Sequence, residues 1–263
     1  MVFWGKPAPD LAQHIEMCWS ITGEEGCGKA FYEILPDSNM NLIFRFSSSG
    51  CRMSLLGPAS EKACVEIDGA SDYFCIRFRP GQALRLADVR TVDLLDCYAE
   101  LPKIKGISIG SLADRLSSLP DPAERQLVME DLVRGCLPLV QDERCRHATA
   151  LLEAHGGQLQ VNELAAELGL HIRTLERLFL EQLGMTPKQL SRLVRFRHLL
   201  SGLKTGSIGS LTDIAYACGY ADQSHMIRDY KELTGRLPGE TGSCDPRRLT
   251  GPPQTRIVHR YRP

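Results

Sequence analysis

The sequence predicts an α+β protein made of two unlike parts. A β-rich N-terminal half, a small barrel or sandwich with helices, precedes an all-α C-terminal half with two helix–turn–helix units joined by a long helix. Three observations predict this. Short apolar segments punctuated by turn residues fill residues 1–105. The last third states one pattern twice, as Glu163-Leu-Ala-Ala-Glu-Leu-Gly-Leu170 and again as Asp213-Ile-Ala-Tyr-Ala-Cys-Gly-Tyr220. Helix-start signatures then punctuate everything from residue 121 onward.

The N-terminal elements follow from turn chemistry and alternation. After the turn Pro36-Asp37-Ser38, the apolar run Asn41-Leu-Ile-Phe-Arg-Phe46 predicts a strand. Cys64-Val-Glu-Ile-Asp68 predicts another, and Tyr73-Phe-Cys-Ile-Arg-Phe-Arg79 a third, stopped by Pro80-Gly81. A short helix is expected from there to Val89. Ile109, Leu112, Leu116 and Leu119 share one helical face. Asp121-Pro122-Ala-Glu124 then supplies a cap, a proline in the first turn and an acid, opening a helix that presents Leu127, Leu132, Cys136 and Leu139 or Val140 and ends near Pro138. These helices either pack on the β-rich domain or pair with a second copy.

Each copy of the C-terminal repeat continues into an arginine and an aromatic residue, Arg177 with Phe179 and Arg228 with Tyr230. Each closes on Gly-x-x-Pro, at Gly184–Pro187 and Gly235–Pro238. The offset is 50 residues at first and 51 afterwards, so one residue is inserted in the second turn. Thr186-Pro187 opens the helix between the copies, which runs to about Lys204, and Ser210-Leu-Thr-Asp213 is a capping box for the next. The expected organisation is a β-rich domain at 1–105, a helical linker or dimerisation segment at 106–145, the double helix–turn–helix at 146–240, and a basic tail without stable structure at 241–263.

Composition narrows the function classes. A 43% apolar and 24% charged chain is that of a globular protein. No apolar run is long enough to span a membrane and the first residues lack the features of a signal peptide, so a cytoplasmic protein with no membrane partner is expected. Residues 1–145 carry 15 Lys/Arg against 21 Asp/Glu, a net −6, while residues 146–263 carry 16 against 11, a net +5. A basic half suits a polyanionic partner, because counterion release drives nucleic-acid binding. The ten cysteines stand singly, without C-x-x-C or zinc-finger spacing, so no cofactor is expected. Cys136, Cys145 and His147 are near enough in sequence to be weighed as a metal or redox group.

Within each copy, the small Ala165 or Ala215 lets a second helix approach closely, and Gly169 or Gly219 turns the chain. Leu175, Leu178 and Phe179, or Met226 and Tyr230, then face inward. Arg173, Glu176 and Arg177 face outward from the first copy, and Gln223, Ser224, His225 and Arg228 from the second, with Asp222 as its cap. Those outward sets carry the chemistry of base edges and phosphates: arginine pairs with guanine, glutamine with adenine, and serine or histidine reach either. Two such units on one spacer predict a grip on double-stranded DNA in two successive turns of the major groove, about 34 Å apart.

At these residues the chain resembles the AraC/XylS family of bacterial transcription regulators. The matching segments are Glu163-Leu-Ala to Gly169-Leu170, Leu175-Glu-Arg-Leu-Phe179, Gly184-Met-Thr-Pro187, Asp213-Ile-Ala to Cys218-Gly-Tyr220, Asp222-Gln-Ser-His225 and Leu233-Thr-Gly235. The resemblance implies two recognition helices in the major groove, with contacts from Arg173, Glu176, Arg177, Gln223, Ser224, His225 and Arg228. His171 departs from it, because the family usually caps the first recognition helix with serine. So does the longer Gly206–Ser210 connection. Pro36-Asp37, Asn41-Leu-Ile-Phe44, Gly57-Pro58 and Phe78-Arg-Pro-Gly81 resemble the regulatory domain of a subset of the family. That resemblance implies a cupin-like β-domain that senses a small-molecule effector or aids homodimer formation. The expected regulator acts as an activator or a repressor, with RNA polymerase as a further partner.

Two other readings compete. One is a DNA-binding protein with a reactive cysteine in its N-terminal half, Cys18, Cys27 or Cys75 beside His14, performing redox, metal or alkyl-transfer chemistry. The other makes the N-terminal half a dimerisation module without a ligand. Trp4, Trp19, Phe31, Tyr32, Tyr73 and Phe74 are available to line a pocket or fill a core.

Overall fold

The computed structural model describes residues 2–24, 28–82, 89–104, 107–119, 121–137, 142–205, 210–240 and 259–260. The N-terminal half contains β1 (Val2–Gly5), β2 (Ile15–Ile21), β3 (Lys29–Ile34), β4 (Met40–Ser47), β5 (Gly50–Leu56), β6 (Ala63–Asp68), β7 (Asp72–Phe78), β8 (Cys97–Glu100), β9 (Lys103–Ile104) and β10 (Ile107–Ser108). With β11 (His259–Arg260), seven strands form one sheet in the order β1-β2-β7-β4-β5-β8-β11. Neighbours are antiparallel except β11, which lies parallel to β8. β3 and β6 form a separate antiparallel ribbon.

Period-two alternation places Leu42, Phe44, Met53, Leu55, Phe74, Ile76 and Phe78 on one face, and all are buried. Ile15 and Cys18 are both buried although an odd number of steps separates them. A register shift between Ile15 and Met17 returns the strand to phase. This face carries the first core.

Two helices cover it. α1 (Ile109–Ser117) buries Leu112 and Leu116. α2 (Pro122–Cys136) starts at Asp121, whose carboxylate accepts from the Ala123 N–H at 2.9 Å. It is tied to the chain around β1: Gln126 Nε2 donates to the Lys6 carbonyl at 2.6 Å, and Glu130 accepts from the Ala8 N–H at 3.0 Å. Packing on the β-rich part is thus the outcome for α2. The expected inward face needs one correction. Leu127 is 62% exposed, because Val128, Met129, Val133 and Cys136 take the buried positions.

The second half is helical: α3 (Glu143–Ala154), α4 (Val161–Glu167), α5 (Ile172–Leu183), α6 (Pro187–Thr205), α7 (Leu211–Ala217) and α8 (Gln223–Thr234). Its core runs from Cys145 and Leu152 through Phe179, Leu190, Val194 and Phe196 to Met226, Tyr230 and Leu233. The spacer α6 has 19 residues, about 28 Å of helix at 1.5 Å per residue.

The halves meet at the repeated Gly-x-x-Pro turns. A 3-10 turn at Thr91–Leu94 lies against α5, and a Cβ on Gly184 would stand 2.7 Å from the Thr91 carbonyl oxygen. In the second unit, Arg236 follows the C-cap Gly235 and its Nη2 lies 2.8 Å from Glu33 of β3. Lys62 pairs with the same buried carboxylate at 2.8 Å. Arg197 of α6 donates to Ser38 Oγ at 3.3 Å, and Leu35 and Leu95 pack on the helical core.

Several expectations fall outside the described residues. These are most of the short helix after Gly81, the Leu139–Val140 end of α2, the connection at 206–209, Cys27 and all of the basic tail except β11. Cys136 and Cys145 are buried in different cores and His147 is exposed, so the three do not gather. Among the described residues no group of three His, Cys, Asp or Glu side chains could hold a metal ion.

Candidate nucleic-acid interface

Each helix–turn–helix is built by the same local logic. Leu168 is the C-cap of α4, and Gly169 after it takes φ +62; Cys218 is the C-cap of α7, and Gly219 after it takes φ +76. Only glycine adopts that backbone without steric cost, which lets a second helix leave at once. Leu164, Ala165, Leu175, Leu178 and Phe179 bury the first corner, and Ile214, Ala215, Cys218, Met226 and Tyr230 the second. The inserted residue is Ala221: Gly169 lies two residues before the cap of α5, whereas Gly219 lies three before the cap of α8.

The two caps are chemically unequal. Asp222 accepts from the His225 N–H at 2.7 Å. His171 does cap α5, with Nδ1 accepting from the Arg173 N–H at 3.3 Å. An anionic oxygen at short range satisfies the amide better and favours the positive helix end, whereas a neutral imidazole supplies only one lone pair.

Arg173, Glu176 and Arg177 are exposed on α5. Arg177 makes a 3.8 Å pair with Glu181, and both side chains remain mostly in solvent, so that contact holds it weakly. On α8, Ser224 and Arg228 are exposed, and Gln223 and His225 are half-buried. The His225 ring meets Tyr220 edge-on at 5.3 Å. Arg228 Nε points back to the Ser224 carbonyl at 3.4 Å. The seven residues thus lie on two helix surfaces, grouped by unit.

A supporting network escapes a reading of outward positions alone. Asp229 is only 9% exposed. Its Oδ1 accepts from Arg192 Nε of α6 at 2.5 Å and its Oδ2 from the Tyr220 hydroxyl at 2.9 Å. Arg192 also pairs with Glu232. Burial, and then the adjacent Asp229 carboxylate, hold the Tyr220 phenol well above its ordinary range, so it stays a donor. The repeat itself carried the signal: at the 51-residue offset, Asp229 replaces the buried Leu178. An acid at an inward position requires a partner.

A second tie joins the units. The loop after α3 presents Gly157 against the Ser191 carbonyl and Arg195 of α6. The next residue, Gln158, packs against Gly219 and donates to the Ala217 carbonyl at 3.4 Å. Residues of the first unit thereby buttress the turn of the second.

The profile of a helix-turn-helix domain family matches residues 164–243. The transcriptional activator RhaS of Klebsiella pneumoniae is 40% identical over 89 residues, 32% of this chain and 31% of that protein. RhaS of Escherichia coli strain SE11 is 39% identical over 121 residues, 42% of each chain. In its helical half the chain is similar to regulators of the AraC/XylS family.

A crystal structure of an AraC-type regulator from Chromobacterium violaceum is 28% identical, covers 37% of this chain and 88% of that one, and has a TM-score of 0.35. Residues 5–100 match a domain of unknown function, DUF6597. The chain spans about a third to two fifths of the length of the RhaS proteins it matches. No helix among the described residues is long and apolar enough to cross a membrane.

The reactive-cysteine reading finds no support. Burial pushes the Cys18 thiol up to about 12, and full burial holds Cys75 well above its ordinary value. Neither is a ready thiolate at neutral pH. His14 Nδ1 meets Gln82 Oε1 at 2.7 Å. Among the aromatics, Phe74 fills the first core, and Tyr73 is buried with its hydroxyl accepting from the Asp68 N–H at 3.0 Å. Trp4 lies opposite Trp19 across β1 and β2 and is 49% exposed.

Proposed function

We propose that the protein is a one-component transcription regulator that binds a specific double-stranded DNA site through two successive major grooves. The observation that carries the reading is the pair of helix–turn–helix units, each with a polar outer helix face, mounted on one 19-residue spacer. Arg173, Glu176 and Arg177 would contact the duplex from one unit, and Gln223, Ser224, His225 and Arg228 from the other. The net +5 of residues 146–263 supplies the attraction for phosphate. Because the units differ in sequence, one polypeptide would read an asymmetric site.

The N-terminal half, cupin-like in this reading, acts as the controlling domain, through a small-molecule effector or through homodimer formation. Support comes from its contacts with the helical half, which fall beside equivalent glycines, Gly184 and Gly235, at the ends of both recognition helices. A ligand that favoured one arrangement of the β-rich half would bias the pose of both units. The relatives named as activators support activation, with RNA polymerase as the partner contacted once DNA is bound.

Selection from a random duplex library with the full-length chain tests the reading. Enrichment of one site with two preferred patches about one helical turn apart is expected. Recovery of sequences no different from the starting pool would end it.

A further inference from the structure

On α7 and α8, one hydrogen bond reaches from the first helix of the second unit into its reading face. Thr212 Oγ1 donates to Gln223 Oε1 at 2.8 Å. Both partners are fixed at the backbone. Thr212 lies in the first turn of α7, inside a capping box in which the Ser210 N–H donates to Asp213 Oδ2 at 3.0 Å and the Asp213 N–H donates to Ser210 Oγ at 3.2 Å. Gln223 is the first residue of α8, directly after the Asp222 cap. The amide is therefore tethered at its far end as well as at its Cα.

We propose that Thr212 is a positioning residue for sequence readout: by holding the Gln223 amide against α7 it sets which base pair the second unit discriminates. The inference rests on the reading of α8 as a recognition helix. A glutamine discriminates adenine by donating from Nε2 and accepting at Oε1 in one plane. Oε1 has two lone pairs, so the Thr212 bond occupies one and leaves the other for a base. An untethered glutamine must lose its rotamer freedom on binding and can swing to suit other bases. Tethering removes roughly three- to tenfold of that penalty, the equivalent of one immobilised flexible side chain.

The first unit lacks this device. At the same offsets it carries Asn162 in place of Thr212 and Ile172, 41% exposed, in place of Gln223. Preference of this kind is therefore confined to the half of the site held by α7 and α8.

The test is selection from a random duplex library by the full-length chain and its T212V, T212S, Q223A and T212V/Q223A variants, read as base frequencies at every position. Q223A is expected to abolish preference at one base pair. T212V should lower that same preference about three- to tenfold and leave the others unchanged. T212S keeps the hydroxyl and should retain it, and T212V should add nothing in the Q223A background. If T212V matches the unaltered protein while Q223A does not, or if its effect persists without Gln223, Thr212 has no positioning role. If Q223A itself alters no position, the reading of Gln223 as a base contact fails, and this inference with it.

Discussion

At the scale of residues, the second unit is the more completely equipped. Its cap is an aspartate at 2.7 Å where the first unit uses an imidazole at 3.3 Å. Its Arg228 is exposed on α8, and Arg228→Ala is expected to cost roughly 1–3 kcal/mol of binding at one base pair if the guanidinium reads guanine. A uniform loss across all duplexes in a titration would instead make it a phosphate contact. Asp229 makes a different prediction, because it holds Arg192 and Tyr220 together. Asp229→Ala leaves the buried Tyr220 hydroxyl without its acceptor and should lower stability by about 1–3 kcal/mol. An unchanged thermal midpoint would remove the network from the stability of the domain. The outward residues were legible because the repeat doubles them. Arg192, Thr212 and Gln158 were not, since each matters through a partner that periodicity does not reveal.

At the scale of elements, helix starts account for much of the C-terminal half. Asp121, Asp142, Asp222 and the Ser210–Asp213 box each satisfy amides at a helix N-terminus. The caps also titrate. The Arg144 side chain beside Asp142, helped by backbone amides, lowers its carboxyl to about 2, and hydrogen bonds from Ser210 lower that of Asp213. Both carboxyls titrate below the ordinary 3.8, so their stabilisation is present above that pH and fades as pH falls through their lowered range. Asp142→Asn keeps a capping oxygen but no charge, so it should lose stability at pH 7, converge with the unaltered chain at low pH and thereby flatten the acid limb of the stability curve. An unaltered acid limb would show that Asp142 does not contribute to it. Helix starts were readable because capping is local chemistry. Strands β1, β2, β3, β5 and β8 went unpredicted: polar or exposed positions blur their alternation, and only pairing with neighbours defines them.

At the scale of the molecule, two cores are joined through a buried carboxylate. The Glu33 side chain is 2% exposed and faces Lys62 of its own half and Arg236 of the other. Glu33→Ala leaves two cations around an emptied position and should loosen the join. Calorimetry is then expected to resolve two thermal transitions, one for each core, where the unaltered chain melts with the halves coupled. Equal cooperativity in both proteins would show that other contacts, such as Thr91 against Gly184, carry the coupling. Nothing in the order of residues announces a pairing between positions 33 and 236.

The sequence by itself determined the helical half. Its glycines, caps, apolar spacing and duplication are local or repeated signals, and the 50- and 51-residue offsets located even the inserted Ala221. It also determined that the halves differ in charge, and that the first is rich in strands. Only the tertiary structure decided the strand order, the packing of α2 on the sheet, the buried Asp229 network and the contacts that set the β-rich half against both Gly-x-x-Pro turns. The reason is physical. A cap or a turn is satisfied within a few residues, whereas a sheet register, a buried carboxylate or a domain contact is stabilised by partners distant in the chain, and their identity exists only once the chain has folded.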